Sequence, residues 1–304
     1  MRRLTQAIAA VLALVLLGAM VAPVSGATRT TRTSPRVTSG PRATSGRAIV
    51  LGYHAIADLD DEPVIGRYSV APERFAEQLD TLMRRGWTFV DLDAVLAALA
   101  GERELPDRAV LLTFDDAYAD LLNVVCPILE ERGLSAVAFA VTDQVGGTNV
   151  WDNRNGAQTL DLLDADGLRQ ISERGIEIGS HTATHPHLPE LPPDQLEAEV
   201  VASADQLESL GLPRPRAFSY PYGLWDPRVA DAVRGAGYEI AFAVDRGVVQ
   251  NGCNRYALPR TAVHVTDTGN RLHLKLASAS WPKAVRSTLR LLTRARARVS
   301  RYSS

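Results

Sequence analysis

Residues 109–116 read AVLLTFDD. Six apolar or hydroxyl-bearing residues run without alternation into two adjacent carboxylates, Asp115 and Asp116. A strand that does not alternate is buried on both faces, as in parallel sheets covered by helices. Two like charges side by side repel, and desolvation raises the cost further. A chain that ends a buried strand in such a pair needs something there to offset the repulsion.

The same kind of run recurs on either side. AIVLGYH (48–54), WTFV (87–90), SAVAFAV (135–141), IEIGSH (176–181), RAFSYP (216–221), EIAFAV (239–244) and YALPRTAVHV (256–265) are short and rich in strand formers. Between them lie stretches of helical spacing, most of them closed by Gly, such as APERFAEQLDTLMRRG (71–86), DLDAVLAALAGE (91–102) and PPDQLEAEVVASADQLESLG (192–211). Seven or eight such units over about 230 residues predict an α/β fold, a distorted (β/α)7-8 barrel. An open doubly wound sheet is the alternative, but no Gly-rich phosphate loop follows the first strand.

In a βα barrel the polar residues at strand C-termini meet on one rim. The first run ends in His54, the third in Asp115 and Asp116, the fifth in His181 with His185 soon after, the sixth in SYPYG (219–223), and the last carries Arg260. Each group alone can simply cap its own strand; the whole set at one end cannot be read that way. In HTATHPHL (181–188), His181 and His185 are four apart, so on a helical turn both rings point the same way. Two imidazoles and one carboxylate suit a divalent transition metal and leave positions open for water and substrate. Ligation of one Asp would neutralise it and let the other stay ionised. His187 is expected to face solvent or pack beneath the loop.

TFDD, HTATH and PYG in this order resemble the polysaccharide deacetylases, the NodB-homology carbohydrate esterases, over roughly residues 48–265. YHAI (53–56) and FSYPYG (218–223) look most like the branch that deacetylates poly-N-acetylglucosamine. The resemblance implies a metal-dependent N-deacetylase with Asp115 as catalytic base and Asp116, His181 and His185 as ligands of a divalent metal, zinc with cobalt or nickel as alternatives. It implies that the backbone N–H of Tyr222 helps hold the oxyanion. The chain departs from the family at three points. Ser219 stands where the third motif usually has an Arg that orients the base, the fourth motif has no counterpart in AFAVDRGVV (241–249), and a Leu-x-His motif is absent. Arg260, held extended by Pro259, is therefore expected to orient the base. Among His54, His264 and His273, His54 is expected to donate the proton to the leaving amine, because it ends a strand on the same rim. Two other functions use or borrow the same site: an O-acetyl polysaccharide esterase, and a carbohydrate-binding relative without turnover.

Composition frames these readings. The 304 residues are 46% hydrophobic with a net charge of −2. Residues 1–48 carry seven Arg and 281–304 carry six Arg and one Lys, with no acid in either, so the centre is strongly acidic. Arg2 and Arg3 followed by AIAAVLALVLLGAMVAPVSGA (7–27) predict a secretory signal cleaved after Ala27, with an uncleaved anchor as the alternative. Residues 28–46 are expected to be a disordered linker, 47–280 the deacetylase domain and 281–304 a basic tail able to lie on an anionic membrane or wall polymer. The expected partner is an N-acetylated polysaccharide rather than nucleic acid, and the expected state a monomer. Export permits a Cys126–Cys253 disulfide, and a plain buried thiol at Cys126 is the other reading.

Overall fold

The computed structural model describes residues 46–279, apart from 60, 154 and 155. The signal segment and basic tail expected from the sequence, and all of the linker but Gly46, lie outside the described residues. Strands β1 (Ala48–Tyr53), β3 (Ala109–Phe114), β4 (Ala136–Ala140), β5 (Ile176–Ser180), β6 (Ala217–Ser219), β7 (Ile240–Phe242) and β8 (Arg260–Ala262) pair in parallel in the order β7-β6-β5-β4-β3-β1-β8. The remaining gap is nearly shut by a bridge between Phe242 and Leu258, with Ala243 N–H donating to the Leu258 carbonyl at 2.8 Å. The eighth expected run shrinks to β2 (Thr88–Phe89), which pairs only with the start of β3 and stays outside the ring. The barrel thus has seven strands in its ring, the lower of the two expected numbers.

Helices α1 (Pro72–Arg84), α2 (Leu92–Ala100), α3 (Cys126–Glu130), α4 (Val150–Asn153), α5 (Ala165–Glu173), α6 (Pro193–Ser209), α7 (Pro227–Gly235) and α8 (Gly269–Ala277) follow the strands. Asp91, Asp164 and Asp226 start α2, α5 and α7 by accepting a backbone N–H three residues on. The stretch before α3 winds as a π turn over Leu121–Val125, where Cys126 N–H reaches back to the Leu121 carbonyl. Pro127 has no N–H to continue an ordinary α ladder through this point.

The strands present two faces. Outward residues Ile49, Leu51, Tyr53, Val110, Leu112, Phe114, Ala136, Ala138, Ile176 and Ile178 pack under the helices. Their neighbours Val50, Leu111, Val137, Phe139, Ala217, Ile240 and Phe242 fill the lumen. Lumen residues recur every second position, so each series climbs toward the rim and ends in a polar group: Gly52 to His54, Thr113 to Asp115, Gly179 to His181, Ala217 to Ser219, Leu258 to Arg260. The glycines make room. A Cβ on Gly179 would sit 2.6 Å from the Phe139 ring, and one on Gly52 would lie 3.8 Å from the Arg260 guanidinium.

The two cysteines are both free thiols, Cys126 under the outer helices and Cys253 against the lumen cluster, so no disulfide joins them.

Candidate metal centre and active site

Every residue singled out at a strand end reaches this rim. Asp115 Oδ1 and Oδ2 accept from the two terminal nitrogens of Arg260 at 2.7 and 2.8 Å, a bidentate pair with both side chains buried. Arg260 also donates through Nε to the Ala243 carbonyl (3.1 Å) and through Nη2 to the Ser219 hydroxyl (2.8 Å), which in turn donates to Asp115 Oδ1 (3.1 Å). Burial alone would push the Asp115 carboxyl up, but the Arg260 charge and its hydrogen bonds, with His181, outweigh it and hold the group well below the ordinary carboxylate range. This guanidinium is what offsets one of the two adjacent charges.

Asp116 is in the opposite condition. Its carboxyl is buried, its Oδ1 has no hydrogen-bond partner among the described atoms, and burial together with the Asp115 charge drives its pKa far up. His181 Nε2 and His185 Nε2 lie 3.7 and 3.8 Å from that oxygen, and one ligand atom from each of the three residues fits within 4.8 Å of the others. His181 Nδ1 donates to the Ser219 carbonyl at 2.7 Å, which leaves Nε2 unprotonated in the neutral ring. Desolvation lowers both histidines' pKa, so both rings are neutral near pH 7. An orphaned buried carboxylate oxygen facing two neutral imidazoles fits a first-row divalent cation.

The expected helical turn over HTATH is absent. His181 extends β5, Thr182 and His185 both take left-handed φ (72° and 64°), and the i, i+4 rings converge through this tight loop instead. Thr182 Oγ1 accepts from His185 N–H (2.9 Å), while Glu199 on α6 accepts from the N–H groups of Ala183 (3.0 Å) and Thr184 (2.9 Å). The other non-glycine residues with left-handed φ among those described are Asp116 (72°), Ala117 (53°) and Tyr222 (58°). All five therefore sit in three rim loops, where backbone strain is held by surrounding hydrogen bonds.

His54 Nε2 lies 3.9 Å from Asp115 Oδ2, and burial lowers its pKa to about 4 with Asp115 pulling the other way. It is therefore neutral near pH 7, and more completely so than a free imidazole, whose ordinary value lies near 6.5. Tyr68 stands between His54 and His264, with ring centroids 5.1 and 5.3 Å away. His273 lies apart on α8, accepting from the Trp87 indole. Tyr222 rests its ring edge-on against His185 (4.7 Å) and the exposed His187 (4.5 Å).

Residues beyond reach of the sequence reading also shape the rim. Trp151 stacks on His185, Glu199 fastens the histidine loop, and Asp120 accepts from Ile56 N–H beside His54. None of them ends a strand. Only Tyr68 and Trp151 carried even a compositional hint, as aromatics in otherwise polar loops.

Residues 102–241 match the sequence family described as polysaccharide deacetylase. A putative polysaccharide deacetylase of Bacillus subtilis, YxkH, is 23% identical over 214 residues, 70% of each chain. The poly-beta-1,6-N-acetyl-D-glucosamine N-deacetylase of Staphylococcus epidermidis is 26% identical over 235 residues, covering 71% of this chain and 78% of its own. The structure of IcaB from Ammonifex degensii superposes with a TM-score of 0.65 at 24% identity, over 76% of this chain and 97% of that one. Residues 102–241 are thus a polysaccharide deacetylase domain, the family that TFDD, HTATH and PYG resemble, on a parallel and nearly closed barrel.

Proposed function

We propose that this polysaccharide deacetylase domain removes N-acetyl groups from an amino-sugar polymer of the poly-N-acetylglucosamine type, releasing acetate. The observation that carries the reading is the split between two neighbouring carboxylates: Asp115 is held ionised by Arg260, while Asp116 Oδ1 has no hydrogen-bond partner and faces His181 and His185. The likeness to the Staphylococcus epidermidis N-deacetylase favours the N-acetyl substrate over an O-acetyl one.

Asp116, His181 and His185 hold a divalent metal, zinc with cobalt or nickel as substitutes. When bound, it polarises the acetamide carbonyl and makes a water acidic enough to react near neutrality. Asp115 takes the proton of the attacking water, its angle fixed by the Arg260 fork. The backbone N–H of Tyr222 holds the oxyanion. His54 is neutral at rest and 3.9 Å from Asp115, so one proton suffices for the cycle. It passes from water to Asp115, on to His54, and to the nitrogen as the C–N bond breaks. The second proton of the water stays on the departing acid, so acetic acid and a free amine leave, and the acid ionises to acetate in solution.

The test is acetate release from poly-N-acetylglucosamine oligomers, chitin oligomers, peptidoglycan and O-acetylated xylan, with zinc, cobalt or nickel added. Turnover of the xylan alone overturns the N-acetyl reading. Asp115→Asn should keep the metal and lose turnover, and His54→Ala should keep metal and fold while kcat falls. Export is part of the proposal, its support being the Arg-led apolar segment 7–27. Amino-terminal sequencing of the mature protein, expected to begin at Thr28, checks it.

A further inference from the structure

The two histidines of the centre are held by different means. His181 is fixed by its Nδ1 bond to the Ser219 carbonyl, the usual device for setting a ligand's tautomer and angle. His185 has no such bond: its Nδ1 is buried without a hydrogen-bond partner. Its ring instead lies flat against Trp151, with centroids 4.7 Å apart and planes 26° apart, and Tyr222 meets it edge-on from 4.7 Å at 68°. The residue itself is in a left-handed conformation, which its own backbone does not favour.

The segment that brings Trp151 is secured independently of the site. Asn149 is fully buried, yet no catalytic step uses it. Its amide donates to the Gln158 carbonyl (3.1 Å) and accepts from Leu160 N–H (2.8 Å), closing the base of the loop around α4. Gln158 N–H then donates to Glu62 (3.1 Å), whose carboxylate also accepts from Val64 and Gly66 N–H at 2.9 Å. Trp151 is therefore presented by a braced loop from another part of the rim, two strands from the one that carries His54.

We propose that Trp151 is a positioning residue for the metal ligand His185. Its indole face holds the imidazole at the angle that turns Nε2 toward Asp116, the task that the Ser219 carbonyl performs for His181. The inference rests on the metal-centre reading above.

The experiment titrates metal-free protein with cobalt, following the visible d–d bands and the Kd by competition with a chelator. Four chains are compared: wild type, Trp151→Phe, Trp151→Leu and Trp151→Ala. Phe keeps a flat ring and should stay within about threefold of wild type, whereas Leu and Ala should weaken binding by roughly 10- to 100-fold, the range for outer partners of metal ligands. The d–d spectrum of the Leu variant should shift with the altered ligand angle. Thermal unfolding of the metal-free proteins should be alike for Phe and Leu, which a merely structural role would not require. If Leu and Phe bind cobalt equally, Trp151 does not position His185, and the proposal is wrong even where Ala fails to fold. If wild type binds no cobalt, or binds it equally after His181→Ala, the metal-centre reading falls and this inference with it.

Discussion

Arg260 and Asp115 are separated by 145 residues in the chain and joined by two charged hydrogen bonds, with both side chains buried. Such a pair adds little over an apolar substitute, but breaking it leaves an uncompensated buried charge. Arg260→Ala is therefore expected to destabilise the fold by roughly 3–5 kcal/mol in urea unfolding and to abolish most turnover. Arg260→Lys keeps the charge but not the fork, and should recover stability better than activity. Asp120 behaves in the other sense. Burial pushes its pKa up to about 6, against the pull of Ile56 N–H toward the ionised form. The folded protein keeps this proton where the unfolded chain, with a value of about 4, has lost it, so its contribution to stability falls as pH rises from about 4 to about 6. Asp120→Asn still accepts from Ile56 and should gain about 1–2 kcal/mol at pH 7. That gain should vanish by about pH 4 if the unfolding free energy is followed across the range.

At the level of strands and loops, the residue alternation within each strand fixes which side chains can enter the lumen. That part was legible in the sequence, because strand C-termini are marked by the change from apolar runs to His, Asp and Arg. Loop conformation was not. The spacing of His181 and His185 suggested a helix, whereas left-handed turns at Thr182 and His185, braced by Glu199 from a separate helix, bring the rings together. Periodicity carries no information about such long-range braces. WTFV looked equal to the other strands because composition cannot tell a ring strand from the short β2 beside it. The lumen glycines give a paired prediction. Gly179→Ala puts a methyl 2.6 Å from Phe139 and 2.8 Å from the Ala217 carbonyl. It should cost about 1–3 kcal/mol, as overpacked cores do. Gly52→Ala meets only ordinary contacts at 3.8 Å and should be close to neutral in the same denaturation assay.

For the molecule as a whole, the proposed metal ligands come from two strand-end loops and the proposed base with Arg260 and Ser219 from three strands, so a bound ion would tie together loops that carry left-handed residues. An ion that binds only the folded state should raise stability by about 2.7 kcal/mol at a hundredfold excess over its Kd. Calorimetry with and without zinc should show that rise in wild type and none in His181→Ala. Closure of the seven-stranded ring also comes late in the order of synthesis. The ring closes through Leu258 and Arg260, near the end of the described residues, so a chain synthesised from its amino terminus holds Asp115, Asp116 and both ligand histidines long before their guanidinium exists. Until residue 260 arrives, the third strand ends in a carboxylate with no counter-charge, and the lumen cannot shut over it without protonating it. A chain cut before residue 260 is therefore expected to show no turnover, which an acetate-release assay on that truncation checks.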